Sequence, residues 1–230
     1  MRLENDHANN RMSVPILLPT GRDAELVGSI LGQEQIDVVA CDSMHDILNQ
    51  LRMGCGPFII GDEALFDFLE HNPEAVCGFD RAAVHRMVAD SVTLKAAVVA
   101  RDEQEAGERR ILNFGHTLGH ALEKVCGVAH GEAVSAGMVF AARLSAARQL
   151  IDSETAARVE NLIRRLGLPR RIDADPVQLL DALRRDKKRE GSHLFFVLIE
   201  KIGKAVVATL TLEEVAEELN AYYRHDAASR

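Results

Sequence analysis

One segment constrains this chain more than any other. Between Arg109 and Glu123 the polar residues Arg109, Asn113, His116, His120 and Glu123 follow one another at spacings of four, three, four and three. That is the repeat of an α-helix, and a single helix would carry all five on one face. Phe114, Gly115, Leu118, Gly119 and Leu122 fill the positions between them, which predicts a helix buried all round rather than one with a charged outer side. Histidines in that setting need partners, because an unpaired imidazole away from water is costly. His130 opens the next helical stretch only a short turn later and can approach His116 or His120. Two or three neutral imidazoles plus a carboxylate, with one position left open, make the donor set of a catalytic zinc site. The bland alternative is a group of core histidines satisfied by hydrogen bonds, and an HxxxH spacing alone does not separate the two.

The rest of the chain fits a mainly helical protein. From Asp80 onward it is dense in Ala, Leu, Val, Arg and Glu, and aromatics make up only 4% with no Trp, a composition of good helix formers. A net charge of -8 argues against a nucleic-acid surface, which needs a dominant basic face. Cys41, Cys55, Cys77 and Cys126 form no CxxC pair, so neither a zinc ribbon nor a disulfide framework is indicated, and reduced thiols in a cytoplasm are expected. No apolar run approaches the ~18 residues of a membrane span, so no membrane partner is expected.

Three regions emerge along the sequence. Residues 1–12 are polar and Asn-rich and read as a disordered leader. Residues 13–61 alternate as strand (13–18), helix (23–32), strand (36–40), helix (43–53) and strand (57–60), a βαβαβ unit that implies a small parallel sheet. Residues 62–224 form a multi-helix domain with helices at 63–70, 81–100 capped by Asp80, 108–126, 130–150, 153–166 opened by a Ser153 cap, 176–186 with Pro176 in the first turn, and 212–223. A small β-hairpin, 194–199 with 204–210 around Gly203, precedes the last helix. Lys95, Arg109, Lys187 and Lys188 are ordinary solubilising residues taken singly. Placed near a metal and Asn113, they would offer forked and point-charge contacts to a carboxylate or phosphate.

At these residues the chain resembles the 3-dehydroquinate synthase family. The string Lys95-Ala-x-Val-Val-x-x-Asp-Glu-x-Glu-x-Gly-x-Arg109-x-x-Leu-Asn113-Phe-Gly-His116-Thr-x-Gly-His120-Ala-x-Glu123, then His130-Gly-Glu-Ala-Val and Gly137-Met138, is similar to the family signature almost position for position. Asp186-Lys187-Lys188-x-x-x-Gly-x-x-x-Phe-Val-Leu, with Ile202-Gly203 beyond, resembles its second block. The resemblance runs from about Phe58 to about Tyr222, the family's C-terminal domain. It implies that His116 and His130 are two of three ligands to Zn2+ or Co2+. It makes Lys95, Arg109, Asn113, His120 and one of Lys187 or Lys188 contacts to a seven-carbon keto-acid sugar phosphate. NAD transiently oxidises a ring hydroxyl of that substrate, phosphate leaves, the hydride returns, and the opened ring closes by an aldol step. Assembly as a homodimer stays open.

The departures from the pattern carry equal weight. The family's third ligand is a Glu in an Ala-Glu-x-x-Lys motif, and the register of the resemblance puts Met53 and Gly56 at its Glu and Lys. Upstream the family has about twice as much chain and a Gly-Gly-Gly turn for the pyrophosphate, whereas this sequence contains neither a triple Gly nor a G-x-G-x-x-G. Its NAD site is therefore expected to be missing. Residues 13–65, with Pro19-Thr-Gly-Arg-Asp23, Cys41-Asp and Asp62-Glu-Ala-Leu65, look somewhat like the receiver-like leaders of some sensor histidine kinases. Three functions follow as expectations: a cyclase or its catalytic half, a non-catalytic metal- or anion-binding remnant of that family, and a signalling module with Asp62 as phosphoacceptor.

Overall fold

A computed structural model of the chain describes residues 13–17, 37–41, 62–102, 107–190 and 194–225, with side chains for 62–102, 107–185 and 194–224. The chain divides into two units, Met1–Arg52 and Met53–Arg230. In the first, β1 (Ser13–Leu17) and β2 (Asp37–Cys41) pair in parallel, Ser13 opposite Asp37 through Leu17 opposite Cys41. A parallel pair requires a crossover connection rather than a tight turn. The expected leader, the helices at 23–32 and 43–53 and the strand at 57–60 lie outside the described residues, as do Met53 and Gly56.

The second unit is mainly α. Its elements are α1 (Glu63–His71), α2 (Pro73–Cys77), α3 (Arg81–Arg101), a 3-10 helix (Glu108–Asn113), α4 (His116–Cys126), α5 (His130–Ala147), α6 (Ser153–Arg165), α7 (Pro176–Glu190), an antiparallel hairpin of β3 (Leu194–Lys201) and β4 (Lys204–Leu210), and α8 (Leu212–His225). Aspartates start three of the helices by accepting a backbone N–H three residues on: Asp62 from Leu65, Asp80 from Ala83 and Asp152 from Thr155. Each such cap is worth ~1 kcal/mol. The cap of α6 is therefore Asp152, one residue ahead of the expected Ser153.

α5 is the centre of the core. Every residue from Ala133 to Ala142 is buried, and all but Ser135 are apolar or glycine, as suits a helix enclosed by neighbours. α4, α6 and β3 pack against it. Buried Ser145 ties it to the hairpin: its hydroxyl donates to Ala141 O at 2.7 Å and accepts from Ile199 N at 3.0 Å. The hairpin turns at Gly203, whose φ of 83° is left-handed backbone that a side chain disfavours. Three helix ends share one geometry. A left-handed residue follows α2, α5 and α6 (Phe79, φ 62°; Gln149, φ 60°; Gly167, φ 70°). The next N–H then reaches back five residues, as in Asp80 N to Ala75 O, Leu150 N to Ser145 O and Leu168 N to Ile163 O. This is the Schellman arrangement, which satisfies carbonyls otherwise left open at a helix end.

The expected single helix over 108–126 is corrected. Glu108–Asn113 is 3-10, the chain breaks at Phe114 and Gly115, and the α-helix begins at His116. The cause is the approach of α5. A Cβ at Gly137 would collide with Gly115 O, one at Gly119 would lie 3.0 Å from Val134 Cα, and Gly115 itself takes φ 82°. Backbone therefore meets backbone at this crossing, and a straight helix through 108–126 would not fit beneath it.

Candidate metal centre

α4 leaves the break at Gly115 with His116 as its first residue and His120 one turn on, and the left-handed Gly127 (φ 65°) ends it. The connection from there to α5 is short, and His130 is the first residue of α5. The helix pair thus carries three imidazoles to one place. Ring centres are 5.3 Å apart for His116 and His130, 5.5 Å for His116 and His120, and 5.7 Å for His120 and His130. His130 Nδ1 lies 3.1 Å from Glu123 Oε2. The cluster is open on one side: His116, His130 and Glu123 are half-buried, while His120 and Lys124 are exposed. The expectation of a helix buried all round therefore holds for its Leu118, Gly119, Ala121 and Leu122 side and fails for its histidine side.

Burial pushes His116 down to about 4, and the positive charges that His120 and His130 can carry act in the same direction. His116 is thus a neutral imidazole with a free lone pair at physiological pH, the form a metal requires. Two imidazoles bound to one tetrahedral ion at zinc–nitrogen distances of ~2.0–2.1 Å have ring centres about 5 Å apart, close to the observed spacing. The imidazole donors therefore fit a zinc- or cobalt-class ion. Among the described residues, no three His, Cys, Asp or Glu side chains stand in position to close a ligand set around an ion.

The remaining sequence-predicted residues lie on elements next to α4 or to the 3-10 helix that precedes it. Arg109 and Asn113, both half-buried, lie on the 3-10 helix directly ahead of His116. Lys95 is half-buried on α3, which packs against that 3-10 helix. Lys187 and Lys188 lie on α7, which packs against α4; their side chains are outside the described residues. Sequence reading missed Asp102, whose Oδ2 accepts from Gly107 N at 2.8 Å and Arg109 N at 2.9 Å. This carboxylate closes the segment that delivers Arg109; Asp102 stands in the signature string, but nothing in the spacing marks it as the acceptor for Arg109 N. Thr117, between the histidines, donates to Phe195 O at 2.8 Å and holds α4 to β3.

Among the described residues no helix is long and apolar enough to cross a membrane. The family described as 3-dehydroquinate synthase C-terminal matches residues 57–189, more than half of the chain. The chain is 39% identical over 210 residues to the 3-dehydroquinate synthase of Rhodopseudomonas palustris (strain BisB18), covering 83% of this chain and 54% of that protein. It is 43% identical over 152 residues to that of Dehalococcoides mccartyi (strain CBDB1), covering 65% and 42%. The chain thus spans about half the length of the curated relatives it matches. Residues 58–230 make up three quarters of it, so a match covering 83% also takes in residues before Phe58, further upstream than the signature residues alone implied. In fold it is similar to the Streptomyces hygroscopicus ValA, a 2-epi-5-epi-valiolone synthase with NAD+ and Zn2+ bound (TM-score 0.69, 23% identity, 83% of this chain and 56% of that one). It is also similar to a 2-deoxy-scyllo-inosose synthase complexed with carbaglucose-6-phosphate, NAD+ and Co2+ (TM-score 0.60, 20% identity, 80% and 56%). With its helical unit, its signature residues and a match across most of its length, this chain belongs to the 3-dehydroquinate synthase family, whose C-terminal domain it carries.

Proposed function

We propose that these residues form the metal- and substrate-binding half of a sugar-phosphate cyclase of the carbon–oxygen lyase class, acting in aromatic amino-acid biosynthesis on 3-deoxy-arabino-heptulosonate 7-phosphate. The observation that carries this reading is the imidazole cluster at the open edge of α4 and α5. His116 and His130 are its metal ligands. When bound, a zinc- or cobalt-class ion supplies Lewis-acid polarisation of sugar hydroxyls, and NAD supplies a hydride acceptor. ValA with NAD+ and Zn2+ bound and the inosose synthase with a sugar-phosphate analogue, NAD+ and Co2+ bound support those cofactor and ligand classes.

The chain's own residues do the positioning. Arg109 offers a planar fork to a carboxylate or phosphate, Asn113 an amide beside it, and Lys95 with Lys187 or Lys188 point charges that neutralise the same anion. His120, exposed next to His116, would hydrogen-bond the substrate. The 230 residues contain no Gly-rich dinucleotide loop, and we place the NAD site on polypeptide other than these residues. On their own they are expected to release little phosphate, because losing the orientation of nicotinamide against sugar forfeits a contribution worth about 7–11 kcal/mol.

Elemental analysis of protein purified without chelator, alongside His116→Ala and His130→Ala, tests the metal reading; equal zinc in all three would sink it. A thermal-shift series with phosphate and sugar phosphates tests the anion site, with stabilisation that Arg109→Ala abolishes as the expected result. Phosphate release with excess NAD and zinc should require a separately supplied nucleotide domain from an active relative. Metal and anion binding without turnover in that mixture would instead favour a non-catalytic remnant, a reading that Met53 at the expected glutamate position supports.

A further inference from the structure

We propose that Glu123 is a positioning residue for the metal, acting through His130. This rests on the metal reading above and goes beyond it, because Glu123 is no ligand in that reading. Its Oε2 lies 3.1 Å from His130 Nδ1, close enough to accept the Nδ1–H. A neutral imidazole carries one N–H and one lone pair, so a proton held at Nδ1 leaves Nε2 as the donor to an ion. A carboxylate behind a ligating histidine fixes the ring's tautomer and orientation and makes the nitrogen facing the metal more basic.

Two features make this more than a surface ion pair. First, the partners belong to different helices: Glu123 is in the last turn of α4 and His130 is the first residue of α5, joined across the left-handed Gly127, whose N–H donates to Glu123 O at 2.9 Å. The contact therefore sets the ring at the one place where the two helices exchange the chain. Second, His130 is a member of the cluster itself, 5.3 Å from His116 and 5.7 Å from His120 between ring centres, so turning its ring changes what an ion at that cluster would meet. Glu123 also lies near the N-terminus of α5, where the helix dipole favours a negative charge.

The experiment reads tautomer and affinity separately. Nitrogen NMR of the metal-free protein at mildly alkaline pH should show His130 protonated at Nδ1, and Glu123→Ala should return it to the mixture typical of a solvated imidazole. Chelator competition should show zinc held ~10–100-fold more weakly by Glu123→Ala. Glu123→Gln should be intermediate, since its amide oxygen still accepts the Nδ1–H without the charge. The side chain is 43% exposed, so both variants are expected to keep the wild-type circular dichroism. Wild-type affinity and tautomer in Glu123→Ala would overturn this proposal alone. Absence of zinc from the wild-type protein would overturn the metal reading and this proposal with it.

Discussion

Tyr222 and Tyr223 show how burial alone resets a side chain's chemistry. The Tyr222 hydroxyl donates to Arg170 O at 3.0 Å with its ring edge-on to Phe140, and the Tyr223 hydroxyl donates to Ile172 O at 2.9 Å. Desolvation, the largest cause in each case, raises Tyr222 beyond the ordinary tyrosine range and lifts Tyr223 to about 12. In the unfolded chain both hydroxyls lose their protons near the ordinary value of ~10, while the folded chain keeps them. Their contribution to stability is thus fully present below pH ~10 and is lost as pH rises from there towards the folded values. Urea midpoints are expected to fall steadily above pH ~10 in the wild type. Tyr222→Phe should flatten that fall while losing about 1 kcal/mol at neutral pH with its hydrogen bond. A midpoint independent of pH up to 12 would contradict this account. At the same scale, the approach of His130 to His116 was legible from the short connection, whereas the exposure of His120 was not, because spacing fixes which residues share a face and leaves open what covers it.

Among the elements, the ends tell more than the middles. Gln149 holds the same left-handed position after α5 that Gly167 holds after α6, at a conformational cost of ~1–2 kcal/mol for a residue with a Cβ. Gln149→Gly is expected to stabilise the protein by roughly 0.5–1 kcal/mol, the relief of that cost less the greater freedom of glycine in the unfolded chain, and to raise Tm by about 1–4 °C for a chain of this size. A lower Tm would mean that the Gln149 side chain makes a compensating contact. The helices themselves were legible from apolar periodicity, with caps at Asp80 and Gly167 as read. The division of 108–126 was not, because a 3-10 turn followed by an α-helix keeps the polar residues at the same sequence spacings. The signal was there in Gly115, Gly119 and Gly137, but a glycine in sequence states that space is short without stating which backbone takes it. α2 was missed because five residues between Asn72 and Gly78 carry no period to read.

Over the whole molecule, the buried apolar side chains among the described residues form one core that runs from Leu65 to Tyr222, within the second unit. A fragment starting at Met53 is expected to show strong helical circular dichroism and a cooperative thermal transition. A fragment that melts without cooperativity would show that residues 1–52 are needed for the core. Family membership was legible at this scale because the signature residues lie in order over a long stretch. The upstream reach of the match was not, since no single motif before Phe58 announces it. The placing of the aromatic residues also determines how the molecule can be watched. The chain has no Trp and two Tyr, both on α8 and both tethered to carbonyls of the connection between α6 and α7. Intrinsic ultraviolet fluorescence is thus a local gauge that records whether the final helix is docked and is blind to the histidine cluster. Where a fluorescence melt and a far-ultraviolet dichroism melt separate, the gap between them measures how far α8 leaves before the helices around α5 come apart.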